Sequence, residues 1–186
     1  MKKIIFIIVI FFTIFSCKAQ TIILVEDFEN YDRELPDNVY VKDVNNLLDK
    51  YVGVWKGTYL NKNYEFRIIK ITDNDIKLQY KEDKLLIRYK ITDNVRNELV
   101  NTLNLPNDNK YIINGKYLAN SGGYLLNYLG LKGECGQNGD VYISIYDTNN
   151  IKMKLYLQVD GEIYLNCTTG AVEQILPTSW IDLTKQ

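Results

Sequence analysis

The chain has 186 residues, with 22 basic and 23 acidic side chains, three cysteines, 15 tyrosines and no histidine. The lack of histidine excludes Ser-His and Cys-His nucleophile systems and the histidine-bearing zinc sites. A net charge of −1 offers no basic face for nucleic acid, and there is no Gly-x-x-x-x-Gly-Lys-Ser/Thr loop for phosphate. No cofactor is expected.

Lys2 and Lys3 open the chain, the oily run Ile4–Phe15 follows, and Ile14-Phe15-Ser16-Cys17 closes it. Twelve residues suit the apolar stretch of an export signal and fall short of the roughly 20 needed to span a bilayer. Residues 1–16 are therefore expected to be a lipoprotein-type signal peptide, with Cys17 the lipidation site and the chain's anchor to a membrane. Each buried CH₂ of an acyl chain adds about 0.8 kcal/mol of membrane affinity. The alternative is an ordinary small-x-small site, Cys17-Lys18-Ala19, cut after Ala19 or Gln20, which would leave a soluble periplasmic or secreted protein. Without the two leader lysines, 20 basic residues face 23 acidic ones, a net charge of −3. Cys135 and Cys167 then remain, an even number in an oxidising compartment. Their disulfide would stabilise the fold by about 3–4 kcal/mol through loop closure; the alternative is two buried free thiols.

Residues 17–42 read as a tether with one edge strand at Thr21–Val25, and 43–186 as a single domain. Val44, Leu47, Leu48 and Tyr51 fall at i, i+3, i+4 and i+7 behind Asp43, which predicts a short amphipathic helix. From Tyr51 the period changes to two. Strands are predicted at Val52–Leu60, Asn63–Ile71, Ile76–Tyr80 and Leu85–Ile91, with a turn at Lys81-Glu82-Asp83-Lys84. Asn94–Asn109 is predicted to hold one or two helical turns. Further strands follow at Lys110–Ala119, Tyr124–Leu131, Val141–Tyr146 and Ile151–Val159. Asp160-Gly161 signals a hairpin into Glu162–Cys167, and a last strand is expected at Trp180–Thr184. An all-β antiparallel meander of this size closes most economically into a barrel, since closure removes exposed edges; a two-sheet β-sandwich is the alternative. Lysines 77, 81, 84, 90, 152 and 154 with Arg88 occupy the presumed outer faces and argue against a lipid-facing barrel.

The run Val-Asn-Asn-Leu-Leu-Asp-Lys-Tyr-Val-Gly-Val-Trp-Lys-Gly-Thr-Tyr from Val44 to Tyr59 resembles an uncharacterised family of small exported flavobacterial proteins, a domain of unknown function. Lys18-Ala19-Gln20, Cys135-Gly136, Cys167 and the C-terminal Leu176-Pro177…Asp182-Leu183-Thr184-Lys185-Gln186 also match that family's pattern. The resemblance implies export and architecture, and no activity. A helix followed by Gly53-x-Trp55 is also similar to the start of lipocalins, which implies a lipocalin-like (calycin-type) barrel with Gly53 and Trp55 as the barrel-closing motif. Lipocalins set an arginine from near the last strand against that tryptophan; here only Lys185 is placed to substitute.

Paired carboxylates could run glycoside hydrolysis, and Glu65, Glu162 and Asp182 lie in or beside strands; with so many acids this proves little, and no enzyme is expected. Tyr59, Tyr64, Tyr80, Tyr89, Tyr117, Tyr124 and Tyr128 lie in strands, where tyrosine simply suits a half-buried pleated surface. The competing reading is a cavity in which Trp55, Tyr59 and Tyr89 meet a small apolar ligand. The expectation is thus a non-catalytic, periplasm-facing envelope lipoprotein binding an apolar ligand or an envelope protein, a protein partner being met by the Asn94–Asn109 loop.

Overall fold

A computed structural model describes residues 20–31 and 34–186 of the chain. The signal peptide expected over residues 1–16 and the expected lipidation site Cys17 lie outside the described residues. Eleven strands form one sheet: β1 Thr21–Leu24, β2 Val39–Lys42, β3 Gly53–Tyr59, β4 Lys62–Asp75, β5 Tyr80–Asp93, β6 Glu98–Asn101, β7 Ile113–Leu118, β8 Tyr124–Leu129, β9 Asn138–Ile145, β10 Lys152–Val159 and β11 Ile181–Lys185. Eight of them, in the order β5-β4-β3-β11-β10-β9-β8-β7, make a closed antiparallel barrel, because β7 pairs back onto β5 through Leu86↔Asn114 and Ile87↔Ile113. The sheet therefore closes on itself and does not divide into a sandwich.

Period-two alternation explains the wall. Tyr64, Phe66 and Ile68 on β4, Leu85, Ile87, Tyr89 and Ile91 on β5, and Met153, Leu155 and Leu157 on β10 all join one buried cluster. The intervening Glu65, Arg67, Lys90, Lys152 and Lys154 are half-buried or exposed. Burying each large apolar side chain contributes roughly 1.5–3 kcal/mol.

The predicted helix over 43–51 is instead a series of turns ending in the 3-10 turn Asp49–Tyr51, and among the described residues there is no α-helix. Asn46 adopts a left-handed φ of 55°, which a right-handed helix cannot propagate. Asp43 still caps, its carboxylate accepting the N–H groups of Leu47 (2.7 Å) and Leu48 (3.1 Å), but it caps a turn. Leu48 and Tyr51 are buried as the apolar spacing implies, while Val44 is exposed.

The tether is part of the sheet: β1 pairs in parallel with β2, and β2 in parallel with β5. The three strands expected at Asn63–Ile71, Ile76–Tyr80 and Leu85–Ile91 are one hairpin with 14-residue arms. Its turn is Ile76–Gln79. The charges at 81–84 stay in the strand because they find partners. Lys84 meets Asp73 at 2.5 Å, and Asp83 accepts from Thr72 Oγ1 (2.6 Å) and Tyr40 Oη (2.8 Å).

The helical turns expected over 94–109 are replaced by β6 and turns against β5, tied by Thr102, whose N–H reaches the Tyr89 carbonyl at 2.8 Å. Asp160-Gly161 starts no hairpin. Among the described residues, 162–167 offers the sheet only an isolated bridge from Ile163 to Cys135, because the Cys135–Cys167 disulfide holds this segment on the neighbouring loop.

Candidate functional site

The barrel's two ends are closed by different chemistry. At one end Trp55 is fully buried and its indole Nε1 donates to the Tyr51 carbonyl at 2.7 Å. The Lys185 ammonium lies 5.3 Å from the Trp55 ring centroid and donates to the Lys50 carbonyl at 3.2 Å. Gly53 makes that crossing fit: its φ is +141°, and a Cβ there would stand 2.6 Å from Lys185 Cε. Tyr51 Oη donates to the Gly122 carbonyl at 2.7 Å. This end is a structural plug in which a cation faces an aromatic ring.

The opposite end is covered by the stretch that returns from β10 to β11. The Cys135–Cys167 disulfide ties its first half to the 130–137 loop. Beyond it, Val172 N–H reaches the Cys135 carbonyl (3.1 Å), Gln174 Nε2 the Gly136 carbonyl (2.6 Å), and Gln137 Nε2 the Glu173 carbonyl (2.8 Å). Across the mouth, Lys62 pairs with Glu173 at 3.0 Å and Tyr64 Oη donates to the Ile175 carbonyl at 3.2 Å. Leu176, buried at the centre of this cover, packs into the core.

Beneath the cover runs a chain of rings. Tyr64 and Phe66 stack at 6.0 Å, Phe66 and Tyr89 tilt at 6.5 Å, and Tyr89 meets Tyr128 edge-on at 6.3 Å. Burial pushes the Tyr64 and Tyr89 phenols up to about 12, and that of Tyr128 higher still. All three therefore remain neutral hydroxyls in the bore. Tyr89 and Tyr128 lie close enough to influence each other's ionisation. Yet neither hydroxyl meets hydrogen-bond geometry with any group among the described residues. Asn138 Oδ1 and Gln174 Oε1 are similarly without a donor there. An unpaired buried polar group costs about 1–3 kcal/mol, so this end concentrates unused hydrogen-bonding capacity. A groove of about 260 Å³ between Tyr59, Leu60, Lys62 and Tyr64 on one side and Glu173, Gln174, Leu176 and Thr178 on the other leads to it.

Of the three residues expected to meet a ligand, Trp55 and Tyr89 occupy one row of the bore, joined through Phe66 by the pairs Trp55↔Phe66 and Phe66↔Tyr89. Tyr59 stands apart, half-buried at the covered mouth. The carboxylates do not converge. Glu65 is paired with Lys56 (3.4 Å) and Arg67 (3.7 Å), Asp182 borders an outer groove beside Trp180, and Glu162 lies in the cover and accepts from Tyr164 Oη at 3.2 Å. Among the described residues, no three Cys, Asp or Glu side chains gather as a metal site. Neither Gln174 nor Leu176 carries a site signal in the sequence; Leu176-Pro177 enters there only as part of the family pattern.

The fold and this mouth define a small closed β-barrel with a disulfide-tied cover. A sequence model of the family of unknown function DUF6705 matches residues 1–172, and the chain belongs to that family. No curated protein and no solved structure matches it.

Proposed function

We propose that this chain is a non-catalytic, exported envelope protein, anchored to a membrane through acylated Cys17, whose barrel takes a small apolar molecule carrying one acceptor oxygen. The observation that carries the reading is the pair of buried, neighbouring Tyr89 and Tyr128 hydroxyls, neither in hydrogen-bond geometry with any group among the described residues, set in an aromatic bore below a cover. Two neutral phenols facing one place would donate to a single carbonyl or carboxyl oxygen, and the rings would supply the apolar contact. Leu176 fills the mouth, so entry requires the cover to swing out, with Lys62–Glu173 and Tyr64–Ile175 the contacts to break. The Gly53-x-Trp55 plug, with Lys185 over the ring, supports a lipocalin-like relationship, and the resemblance to exported flavobacterial proteins supports the placement.

A second reading, a protein-interaction or inhibitor module with a filled barrel, is favoured by the burial of Phe66, Tyr89, Tyr128 and Leu176 to 2% exposure or less. Purification from native envelopes in mild detergent, followed by mass spectrometry of lipids, small molecules and proteins together, separates the two. A stoichiometric small molecule lost in a Tyr89→Phe/Tyr128→Phe variant supports the ligand reading. A stoichiometric protein with an empty small-molecule fraction supports the second, and recovery of neither sinks both.

A further inference from the structure

The end of the sheet remote from the cover carries an apolar tip that the core does not use. β4 and β5 outrun the barrel, and their turn displays Ile76 at 81% and Leu78 at 74% exposure. The turn does not need either side chain. Asp75 Oδ1 accepts the N–H groups of Lys77 (2.9 Å) and Leu78 (3.1 Å), and Gln79 supplies the left-handed residue at φ 50°.

The described chain begins at the same place. Thr21 lies opposite Val39, and Val39 opposite Tyr80. At about 4.8 Å per strand, Thr21 is about 10 Å from the base of the turn. Upstream, the sequence passes through Cys17 to the oily run Ile4–Phe15. The surroundings have the composition of a water–lipid boundary, with aromatic and amphipathic cationic side chains together. The Lys42 and Lys81 ammonium groups lie 5.7 and 4.6 Å from the Tyr40 ring centroid, and Lys77 and Ile22 are exposed. Asp37, Asp73, Asp75, Glu82 and Asp83 are the nearby acids; Asp75 is engaged inside the turn, Asp73 by Lys84, and Asp83 by Thr72 and Tyr40, while Glu82 is buried.

We propose that the β4–β5 tip is a membrane-docking element. Ile76 and Leu78 enter the boundary between headgroups and acyl chains, Lys77 and Lys81 lie at headgroup level, and the barrel stands with its covered mouth pointing away from the bilayer. Apolar side chains are also exposed at the covered end, among them Leu60, Val95 and the consecutive Ile163, Tyr164 and Leu165. Reach decides between the two ends. From Cys17 to Thr21 the chain extends at most about 14 Å. The 14-residue β4 measures about 44 Å along the strand and about 33 Å along the barrel axis at the usual tilt. A chain held at Cys17 therefore brings the tip to the bilayer and keeps the mouth off it. This orientation rests on the lipid-anchor reading, whereas the affinity of the tip itself does not.

Two measurements on the full chain, processed by its own host, keep those parts separate. In the first, protein reconstituted in vesicles of 7:3 phosphatidylethanolamine and phosphatidylglycerol is read by tryptophan emission with brominated acyl chains as quencher. The native tryptophans are internal controls, Trp55 in the core and Trp180 exposed on the wall away from the tip. Leu78→Trp is expected to show a new component quenched at least twofold, with native emission unchanged. An unquenched Leu78→Trp component, or quenching of the native protein, overturns the proposal. In the second, Cys17→Ser protein is sedimented with the same vesicles. Ile76→Ser/Leu78→Ser is expected to lower the bound fraction at least fivefold, and equal binding overturns the proposal. Intact mass of the wild-type chain reports acylation separately, so loss of the anchor reading is not confused with loss of the tip.

Discussion

Glu82 sits in β5 opposite Asp73 of β4 and Val41 of β2, and burial pushes its carboxyl up to about 7. The folded protein therefore holds this proton through a range in which the unfolded chain, near 4.5, has released it. Stability attributable to Glu82 is greatest below about pH 4.5 and falls as pH rises to about 7, by on the order of 3 kcal/mol. Asp73, through its hydrogen bond from Lys84, is held low, so its own contribution is lost only below the usual carboxylate range. Glu82→Gln should flatten the decline between pH 4.5 and 7 and raise the urea midpoint at pH 8; an unchanged pH profile would remove Glu82 as its cause. The bore phenols give a second stabilising prediction. Tyr128→Phe deletes a buried hydroxyl that makes no hydrogen bond among the described residues, so the ligand-free protein should gain about 1 kcal/mol in urea unfolding. The same variant should hold the co-purifying molecule less well. A loss of stability would mean that the hydroxyl is already satisfied within the barrel.

The long hairpin and the cover show where sequence patterning was sufficient and where it was not. Alternation located β3, β7, β8, β9, β10 and β11 within a few residues, because each has one apolar face and a polar turn at its ends. It failed at 76–84. Ile76 and Leu78 have strand spacing but occupy a turn, and Lys81–Lys84 reads as a turn but is paired by Asp73, Thr72 and Tyr40, two of them on the neighbouring strand and one on β2. Partners supplied from distant elements leave no local trace. The plug was partly legible through Gly53 and Trp55, and Lys185 could be named as the one basic residue placed to face the tryptophan. The covered mouth was not legible, because Gln174 and Leu176 acquire meaning only once the Cys135–Cys167 bridge positions the chain above Tyr64. Removing that bridge with Cys135→Ser/Cys167→Ser should cost about 3–4 kcal/mol in the chain-entropy estimate. Hydrogen exchange should rise first over residues 160–176 while β4 and β5 stay protected; uniform loss of protection would show that the cover is not a separable unit.

At the scale of the whole molecule, closure depends on two short ladders. β5 meets β7 through two residue pairs, and β3 meets β11 through Thr184↔Lys56 and Lys185↔Trp55. By contrast, β4 and β5 are paired along their full 14-residue length. The barrel is thus a robust half around β3–β5 joined to the β7–β11 half at two narrow seams, and opening is expected there first. A glycine guards each seam. A Cβ on Gly57 would lie 2.6 Å from the Asp182 carbonyl oxygen, and one on Gly115 would lie 2.7 Å from the Leu85 carbonyl oxygen and 2.5 Å from Tyr124 Oη. Backbone atoms of a central strand cannot yield as a side-chain end can, so Gly115→Val must push β7 away from β5 and release the Tyr124 hydroxyl from the Leu85 N–H, now 3.2 Å apart. Overpacking of this kind costs about 1–3 kcal/mol. Because the change is at a seam, the loss should appear as faster exchange of amides on β7 and the facing part of β5 at temperatures where β3 and β4 remain protected. Wild-type stability with wild-type exchange in Gly115→Val would show that the β5–β7 contact does not close the barrel.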